Sequence, residues 1–231
     1  MGHYVVRRVL QAVPLLFLIS VMSFMLIRMS GDPMSMYAQS SSLTQADRER
    51  IIKEHGWDQP RIVQYGFWLR DVARGDLGSS LYTYQPVTQM ILERLPNTMI
   101  LMGTVFVLTL VVSIPLAILS ALKQYSKLDY IITGASFLAF ALPTFWLGLV
   151  FIMIFAVKFK EWGLPYLPAG GMYDLVEGQS LPGLIKHLIM PAIVLSIVSM
   201  AAYVRYLRAS MIEVLHDDYI RTARAKGLPE G

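Results

Sequence analysis

The sequence contains no cysteine in 231 residues. The chain therefore has no disulfide framework, no thiolate ligand for a metal ion and no thiol nucleophile. Charge is also scarce, because only 16% of the residues are charged whereas 55% are hydrophobic. A soluble domain usually carries about 25% charged residues, so the composition argues against an ordinary soluble protein.

The sequence also lacks the groupings that carry enzymatic chemistry. Its four histidines are scattered without metal-ligand spacing: His3, His55, His187 and His216. No glycine-rich phosphate loop ends in Lys-Ser or Lys-Thr, and Ser79 lies outside any G-x-S-x-G context. The basic residues form no stripe with interleaved aromatics, as nucleic-acid binding would favour. We therefore expect a chain that is not an enzyme, with no catalytic, cofactor-binding or metal-binding residues and no nucleic-acid partner.

Four long runs contain no charged residue. They have 19, 26, 28 and 17 residues and cover Val9–Ile27, Asn97–Leu122, Tyr130–Val157 and Leu188–Val204. A helix of about 20 apolar residues crosses the hydrocarbon core of a bilayer. Helices satisfy their own backbone hydrogen bonds there, which isolated strands do not. The sequence predicts an all-α, multi-span membrane helix bundle with four spans.

The first run has the layout of a secretory signal, since Arg7 and Arg8 precede its apolar centre. Its 19 residues exceed the roughly 7–15 of a signal core, and no small-x-small cleavage site follows closely. We expect an uncleaved membrane anchor.

Basic residues beside the spans predict the orientation. Nine lie in the N-terminus, the loop after the second run and the tail: Arg7, Arg8, Lys123, Lys127, Arg205, Arg208, Arg221, Arg224 and Lys226. The short loop on the other side has three: Lys158, Lys160 and Lys186. Short cytoplasmic flanks accumulate Lys and Arg, so we expect the N-terminus and the tail in the cytoplasm and residues 30–96 outside.

Residues 30–96 are expected to form a small, mostly helical extracytoplasmic domain. Thr44 and Asp47 have the spacing of a capping pair for a first helix. A second helix is expected between Pro60 and Gly75, and a third over Pro86–Leu95. Four aromatics favour packing on the membrane surface, with docking of a soluble partner as the alternative: Trp57, Tyr65, Phe67 and Trp68. The remaining parts are then 1–29 (N-terminus and first span), 97–204 (spans two to four) and 205–231 (cytoplasmic extension).

After the fourth run, the helix is expected to extend through Leu215 and then break. Asp217 or Asp218 can cap a new short helix, and Gly227 suits its end. This helix is expected to present small residues to a partner that approaches closely: Ala223, Ala225 and Gly227. The alternative is a short helix that lies on the membrane surface.

The residues of this short helix resemble the cytoplasmic coupling loop of permease subunits in binding-protein-dependent ABC importers. The resembling residues are Asp218, Tyr219, Ile220, Arg221, Thr222, Ala223, Arg224, Ala225, Lys226, Gly227 and Leu228. The wider superfamily has Glu-Ala-Ala where this chain has Arg221-Thr222-Ala223, and the dipeptide/oligopeptide/nickel branch shares that departure. Four upstream motifs resemble the first permease subunit of the same branch: Gly31-Asp32-Pro33, Trp57-Asp58-Gln59-Pro60, Gly75-Asp76-Leu77-Gly78-Ser79 and Leu95-Pro96-Asn97-Thr98.

The resemblance covers essentially the whole chain and implies a permease subunit of an ATP-driven importer. The implied solute is a peptide or a related small molecule, and the implied location is the plasma (inner) membrane of a prokaryote. The implied partners are the lipid bilayer, a second permease subunit, two cytoplasmic ATPase subunits and an extracytoplasmic solute-binding protein. Asp218–Leu228 would then contact an ATPase. Such permeases have six spans, so we expect four of the six here, with the chain truncated within the coupling loop.

Two other classes of function remain as alternatives. One is a membrane scaffold or assembly subunit without a transport path of its own. The other is a secondary transporter or channel. Ion-coupled transporters usually bury titratable groups in their spans, and the four runs hold no Asp, Glu, His, Lys or Arg. The sequence therefore favours an external source of energy.

Single cysteines at Ser41 and Ser126 test the orientation. A membrane-impermeant thiol reagent added to intact cells is expected to label the cysteine at position 41 and not that at position 126, because the basic flanks place position 126 in the cytoplasm. Labelling at position 126 alone would invert the topology.

Overall fold

The computed structural model describes residues 1–30, 44–54, 56–80, 82–83, 85–174 and 178–227. Most of them are helical, which confirms the all-α prediction. The chain divides into two compact units, Met1–Arg94 and Leu95–Gly231. The motif Gly31-Asp32-Pro33, His55 and Leu228 lie outside the described residues.

Three helices begin the first unit: α1 (Gly2–Ser30), α2 (Gln45–Glu54) and α3 (Arg61–Ala73). The predicted capping pair starts α2, because the Asp47 amide donates to Thr44 Oγ1 at 3.3 Å and the Thr44 amide donates to Asp47 Oδ2 at 3.1 Å. The Thr44 hydroxyl donates to the same carboxylate and lowers the pKa of Asp47. Gly75 follows α3 with a φ of +84°, which confirms the predicted stop.

Helix α3 packs on α1 through aromatic rings. Phe24 of α1 is 3% exposed, and its ring centroid lies 5.5 Å from that of Tyr65 and 5.8 Å from that of Trp68. The Tyr65 hydroxyl is 2.7 Å from the hydroxyl of Ser20. Tyr65 and Trp68 therefore pack against α1 inside the first unit. Packing of the four aromatics on the membrane surface stays a prediction.

The next helix, α4 (Val87–Leu122), has 36 residues and contains Pro96 and Pro115. The prediction of a separate outer helix over Pro86–Leu95 is therefore wrong, because the helix continues through Pro96 into the second apolar run. A proline removes one backbone donor, but an apolar helix tolerates this where neighbouring groups satisfy the freed carbonyl.

The third apolar run is broken. Helix α5 (Lys127–Ala141) meets the helical stretch Thr144–Glu161 at 99°. Pro143 drives the preceding Leu142 out of the helical region, to a ψ of 127°. The stretch comprises α6 (Thr144–Phe151), a π-helix (Ile152–Lys158) and the short α7 (Phe159–Glu161).

The last long helix, α8 (Leu181–Leu215), has 35 residues and packs against α5 and α6. The Ser180 hydroxyl caps it by accepting from the Gly183 amide at 3.2 Å. Among the described residues, α1, α4 and α8 are each long and apolar enough to cross a bilayer, and the bent pair adds a fourth span if it acts as one. The multi-span prediction is confirmed in this form.

Small residues line the buried face of α4 at every fourth position. Val105, Thr109, Ser113, Ala117 and Ala121 are all buried, whereas neighbouring Phe106, Val107 and Val111 are exposed. The Ser196 hydroxyl of α8 donates to the Val105 carbonyl at 3.4 Å. Small side chains let helix backbones approach closely in lipid, where apolar burial alone does not drive helices together.

Two adjacent alanines of α8 test this packing. Ala201 is 3% exposed, whereas Ala202 is exposed. In Ala201→Leu the added atoms have no room, and overpacking costs about 1–3 kcal/mol. The thermal unfolding midpoint of the detergent-purified protein is expected to fall by several degrees, whereas Ala202→Leu is expected to stay near wild type. Equal midpoints for the two variants would contradict the described packing.

Candidate coupling site

The predicted break after α8 is present, and it leads into a short helix. The amides of His216 and Asp217 donate to the carbonyls of Glu213 and Val214, both at 3.1 Å, and α8 ends there. Helix α9 covers Asp218–Ala225. The Asp217 carbonyl accepts the first bonds of α9, so Asp217 holds the N-cap position.

Among the side chains that the structure describes, few interactions stabilise α9 internally. The Arg221 guanidinium lies 3.4 Å from Asp218 Oδ1, and both side chains are largely exposed. Such exposed pairs contribute about 0–1 kcal/mol. The Thr222 hydroxyl donates to the Asp218 carbonyl at 2.8 Å. Isolated helices shorter than about 12–15 residues are marginal in water, so an eight-residue helix gains most from contact with other surfaces.

The C-terminal end of α9 has the glycine conformation that the sequence predicts. The Lys226 amide donates to the carbonyls of Thr222 and Ala223 at 3.1 and 3.2 Å. Gly227 follows with a φ of +74°, and among the described residues, chain neighbours aside, a Cβ added there would meet no atom within 4 Å. The conformation, and not crowding, therefore makes glycine the favoured residue at this position.

Helix α9 has an exposed and a half-buried face. Asp218, Thr222 and Ala225 are exposed, whereas Ile220 and Ala223 are half-buried. Tyr219, at the side of the exposed face, is 60% exposed. Residues three or four apart share a face of a helix, so these exposures define two sides. Ala223, which the sequence placed on the presented side, lies on the half-buried one.

The other coupling residues predicted from the sequence have the following positions. Arg221, Lys226 and Gly227 are exposed at the end of the chain that the structure describes. Arg224 belongs to α9, and its side chain lies outside the described part of the chain, as does Leu228. Within the described residues, no group of three or more His, Asp or Glu side chains is placed to hold a metal ion.

A buried ion pair that no sequence pattern predicted lies at the start of α5. Asp129 is 3% exposed, and the Ser126 hydroxyl accepts a hydrogen bond from its amide at 3.3 Å. The guanidinium group of Arg208, in α8, binds both oxygens of the Asp129 carboxylate. Nε donates to Oδ1 and Nη2 donates to Oδ2, each at 2.7 Å. Bidentate charge-assisted bonds of this kind are among the strongest in proteins.

Three further groups complete the surroundings of this carboxylate. The hydroxyl of Ser120, at the end of α4, donates to Oδ1, and the Arg208 Nε also donates to Ser120 Oγ at 3.1 Å. The Tyr125 amide, in the turn between α4 and α5, donates to Oδ2 at 3.0 Å. The Thr133 hydroxyl lies 3.4 Å from Oδ1. The pair therefore joins α4, the following turn, α5 and α8.

The turn that carries the Tyr125 amide has an unusual backbone. Tyr125 has a φ of +62° and is the one non-glycine residue with positive φ among those described. A bulky residue adopts this conformation only where its surroundings stabilise it. The amide bond to Asp129 supplies one such interaction, so the ion pair also bears on the shape of the turn.

Family comparisons cover almost all of the chain. Residues 113–231 match the binding-protein-dependent transport system inner membrane component, and residues 1–102 match the N-terminal region of such membrane components. The oligopeptide transport system permease protein AppB of Bacillus subtilis is 43% identical across 100% of this chain and 72% of its own length. A putative peptide permease protein of Brucella suis is 35% identical across the same shares.

A more distant relative gives the same result. A probable peptide ABC transporter permease protein of Sinorhizobium fredii is 32% identical across 98% of this chain and 70% of its own length. These relatives align over 98–100% of this chain. The chain therefore belongs to the family of inner membrane components of binding-protein-dependent transport systems.

Proposed function

We propose that this chain is the permease subunit of an ABC importer that moves peptides, or a related small solute, inward across the membrane. Its membership of the transport family supports the transport role. The relatives named for oligopeptide or peptide transport support the class of solute. The working complex then contains a second permease, two cytoplasmic ATPases that hydrolyse ATP, and an extracytoplasmic solute-binding protein.

The observation that carries the proposed mechanism is the short helix after α8. Helix α9 follows a 35-residue helix after a two-residue break and ends at a glycine with positive φ. Its exposed face carries Asp218, Thr222 and Ala225. A short, mostly small-residue face lets a partner's groove approach the helix backbone, and Tyr219 beside it can fill a pocket. We assign this face to contact with one ATPase.

The proposed location is the plasma membrane of a prokaryote, with the N-terminus in the cytoplasm. The bacterial sources of the relatives support the host membrane. The excess of Lys and Arg at the N-terminus, at the α4–α5 turn and after α8 supports the orientation. The α4–α5 turn and α9 then share the cytoplasmic side, where ATP is hydrolysed.

Energy for transport is expected to come from ATP. In proteoliposomes that contain the assembled transporter, peptide uptake is expected to stop when ATP is omitted. Uptake is expected to continue when ionophores collapse proton and sodium gradients, because the apolar runs bury no group that binds and releases an ion. Uptake that persists without ATP and ends with the ion gradient would contradict the importer proposal.

Two substitutions of Gly227 test the coupling role of α9. Both Gly227→Val and Gly227→Asn add a Cβ that would lie more than 4 Å from the atoms of the described residues, chain neighbours aside. Valine resists positive φ, at a cost of roughly 1–2 kcal/mol or more, whereas asparagine tolerates it. The valine variant is expected to lose ATPase co-purification or solute-stimulated hydrolysis several-fold, and the asparagine variant is expected to stay near wild type.

Two further variants separate ATPase docking from membrane attachment of α9. Ala225→Trp adds a bulky side chain to the exposed face of α9. It is expected to prevent binding of the ATPase subunit without changing the abundance of the permease in the membrane. Lys226→Ala weakens attraction to anionic lipid, so it is the more damaging change if α9 lies on the membrane surface. A silent Gly227→Val together with an inactive Lys226→Ala would overturn the coupling assignment.

A further inference from the structure

The ion pair between Asp129 and Arg208 lies outside the coupling helix, but it holds the helix from which α9 continues. Arg208 is ten positions before Asp218. At about 1.5 Å of rise per helical residue, roughly 10 Å of helix separates the Arg208 position from the end of α8 at Leu215. The ion pair therefore lies within a few helical turns of the point where a displacement of α9 would act on α8.

Contacts of a second arginine hold the same segment of α8. The Arg205 guanidinium lies 4.6 Å from the ring centroid of Phe140 and 5.4 Å from that of Phe137, both in α5. Its Nε donates to the Ala201 carbonyl at 3.2 Å. Aromatic contacts of this kind are attractive but allow sliding, since the ring face offers no single fixed acceptor.

The bidentate interaction between Arg208 and Asp129 differs from these aromatic contacts. Its two parallel hydrogen bonds fix the orientation of the guanidinium group as well as its distance from the carboxylate. Rotation of α8 about its axis, or its displacement along α5, would break both 2.7 Å bonds. It would also remove a partner from a carboxylate that is 3% exposed. A buried charge without its partner is strongly unfavourable, so α8 and α5 are expected to move together.

The same carboxylate extends the connection beyond α5. Ser120 and the Tyr125 amide also donate to Asp129, so the end of α4 and the α4–α5 turn are joined to α8 at this point. Displacement of α9 is then expected to move α4, α5 and α8 together. Without the pair, the end of α8 is expected to bend and to absorb the displacement.

We propose that Asp129 and Arg208 are positioning residues that transmit movement of the coupling helix to α4 and α5. This inference rests on the proposed importer function and on the assignment of α9 as the ATPase contact. The residues act through α8 and the α4–α5 turn, with Ser120 and Tyr125 as accessory partners. Their role is to keep ATP hydrolysis coupled to peptide uptake, whereas α9 itself binds the ATPase.

The test uses the full transporter with both permeases, both ATPases and the solute-binding protein in proteoliposomes. Asp129→Asn removes the negative charge with almost no change of shape, and Arg208→Lys keeps the positive charge but loses the bidentate interaction. Glu161→Gln is the matched control, because Glu161 forms an exposed ion pair with Lys158 at 2.7 Å. The measured quantities are ATPase subunits per assembled complex, ATP hydrolysed and peptide taken up.

We expect Asp129→Asn and Arg208→Lys to retain ATPase subunits at wild-type stoichiometry and to hydrolyse ATP. Peptide taken up per ATP hydrolysed is expected to fall several-fold in both variants and to stay at the wild-type value in Glu161→Gln. A purely structural ion pair would lower the amount of complex and leave this ratio unchanged.

Three results would overturn the inference. The first is an unchanged ratio in the complexes that assemble, the second is loss of ATPase subunits from both variants, and the third is failure of both variants to assemble. The second would make the pair part of docking, and the third would make it a folding element. Absence of ATP-driven uptake by the wild-type complex is a separate result, and it would contradict the proposed function itself.

Discussion

Backbone hydrogen bonding in hydrocarbon is the constraint from which the rest of this structure follows. Every buried amide and carbonyl needs a partner there, and a continuous helix supplies one for nearly all of them. Prolines at positions 14, 96, 115 and 191 therefore lie inside helices that continue past them. The hydrocarbon environment also favours small residues along α4. Exclusion of apolar surface from water does not drive helices together there, so close packing has to hold them.

The features that were predictable from the sequence are those that depend on neighbouring residues. The Thr44–Asp47 cap, the stop at Gly75 and the positive φ of Gly227 each follow from the local chemistry of one or two residues. The apolar runs predict membrane helices because length and composition are enough. Proline was less informative, since Pro96 lies within α4 whereas Pro143 accompanies a 99° bend. Whether a helix recovers from a lost donor depends on what packs beside it.

The ion pair between Asp129 and Arg208 was not predictable in this way. Its residues are 79 positions apart, and pairing over that distance is a property of the packed helices. The spans were located as runs without charged residues, and this criterion leaves out charged residues that flank the runs, as both members of the pair do. Asp129 comes directly before the third uncharged run and Arg208 comes four residues after the fourth. Only Arg208 was considered, as one of the basic residues that predict the orientation. The burial of Asp129 distinguishes it from the exposed pair of Arg221 and Asp218.

The uninterrupted helical course of α8 from Arg208 to Leu215 sets an angular phase between the ion pair and α9. Each residue of an α-helix turns the chain by about 100°, so the face that α9 presents is determined by how many residues separate the two. One residue added there would rotate the presented face by more than a quarter turn. Four added residues would nearly restore the angle but displace α9 by about 6 Å. In this segment, the number of residues determines which face α9 presents, whereas the identity of most of the side chains does not.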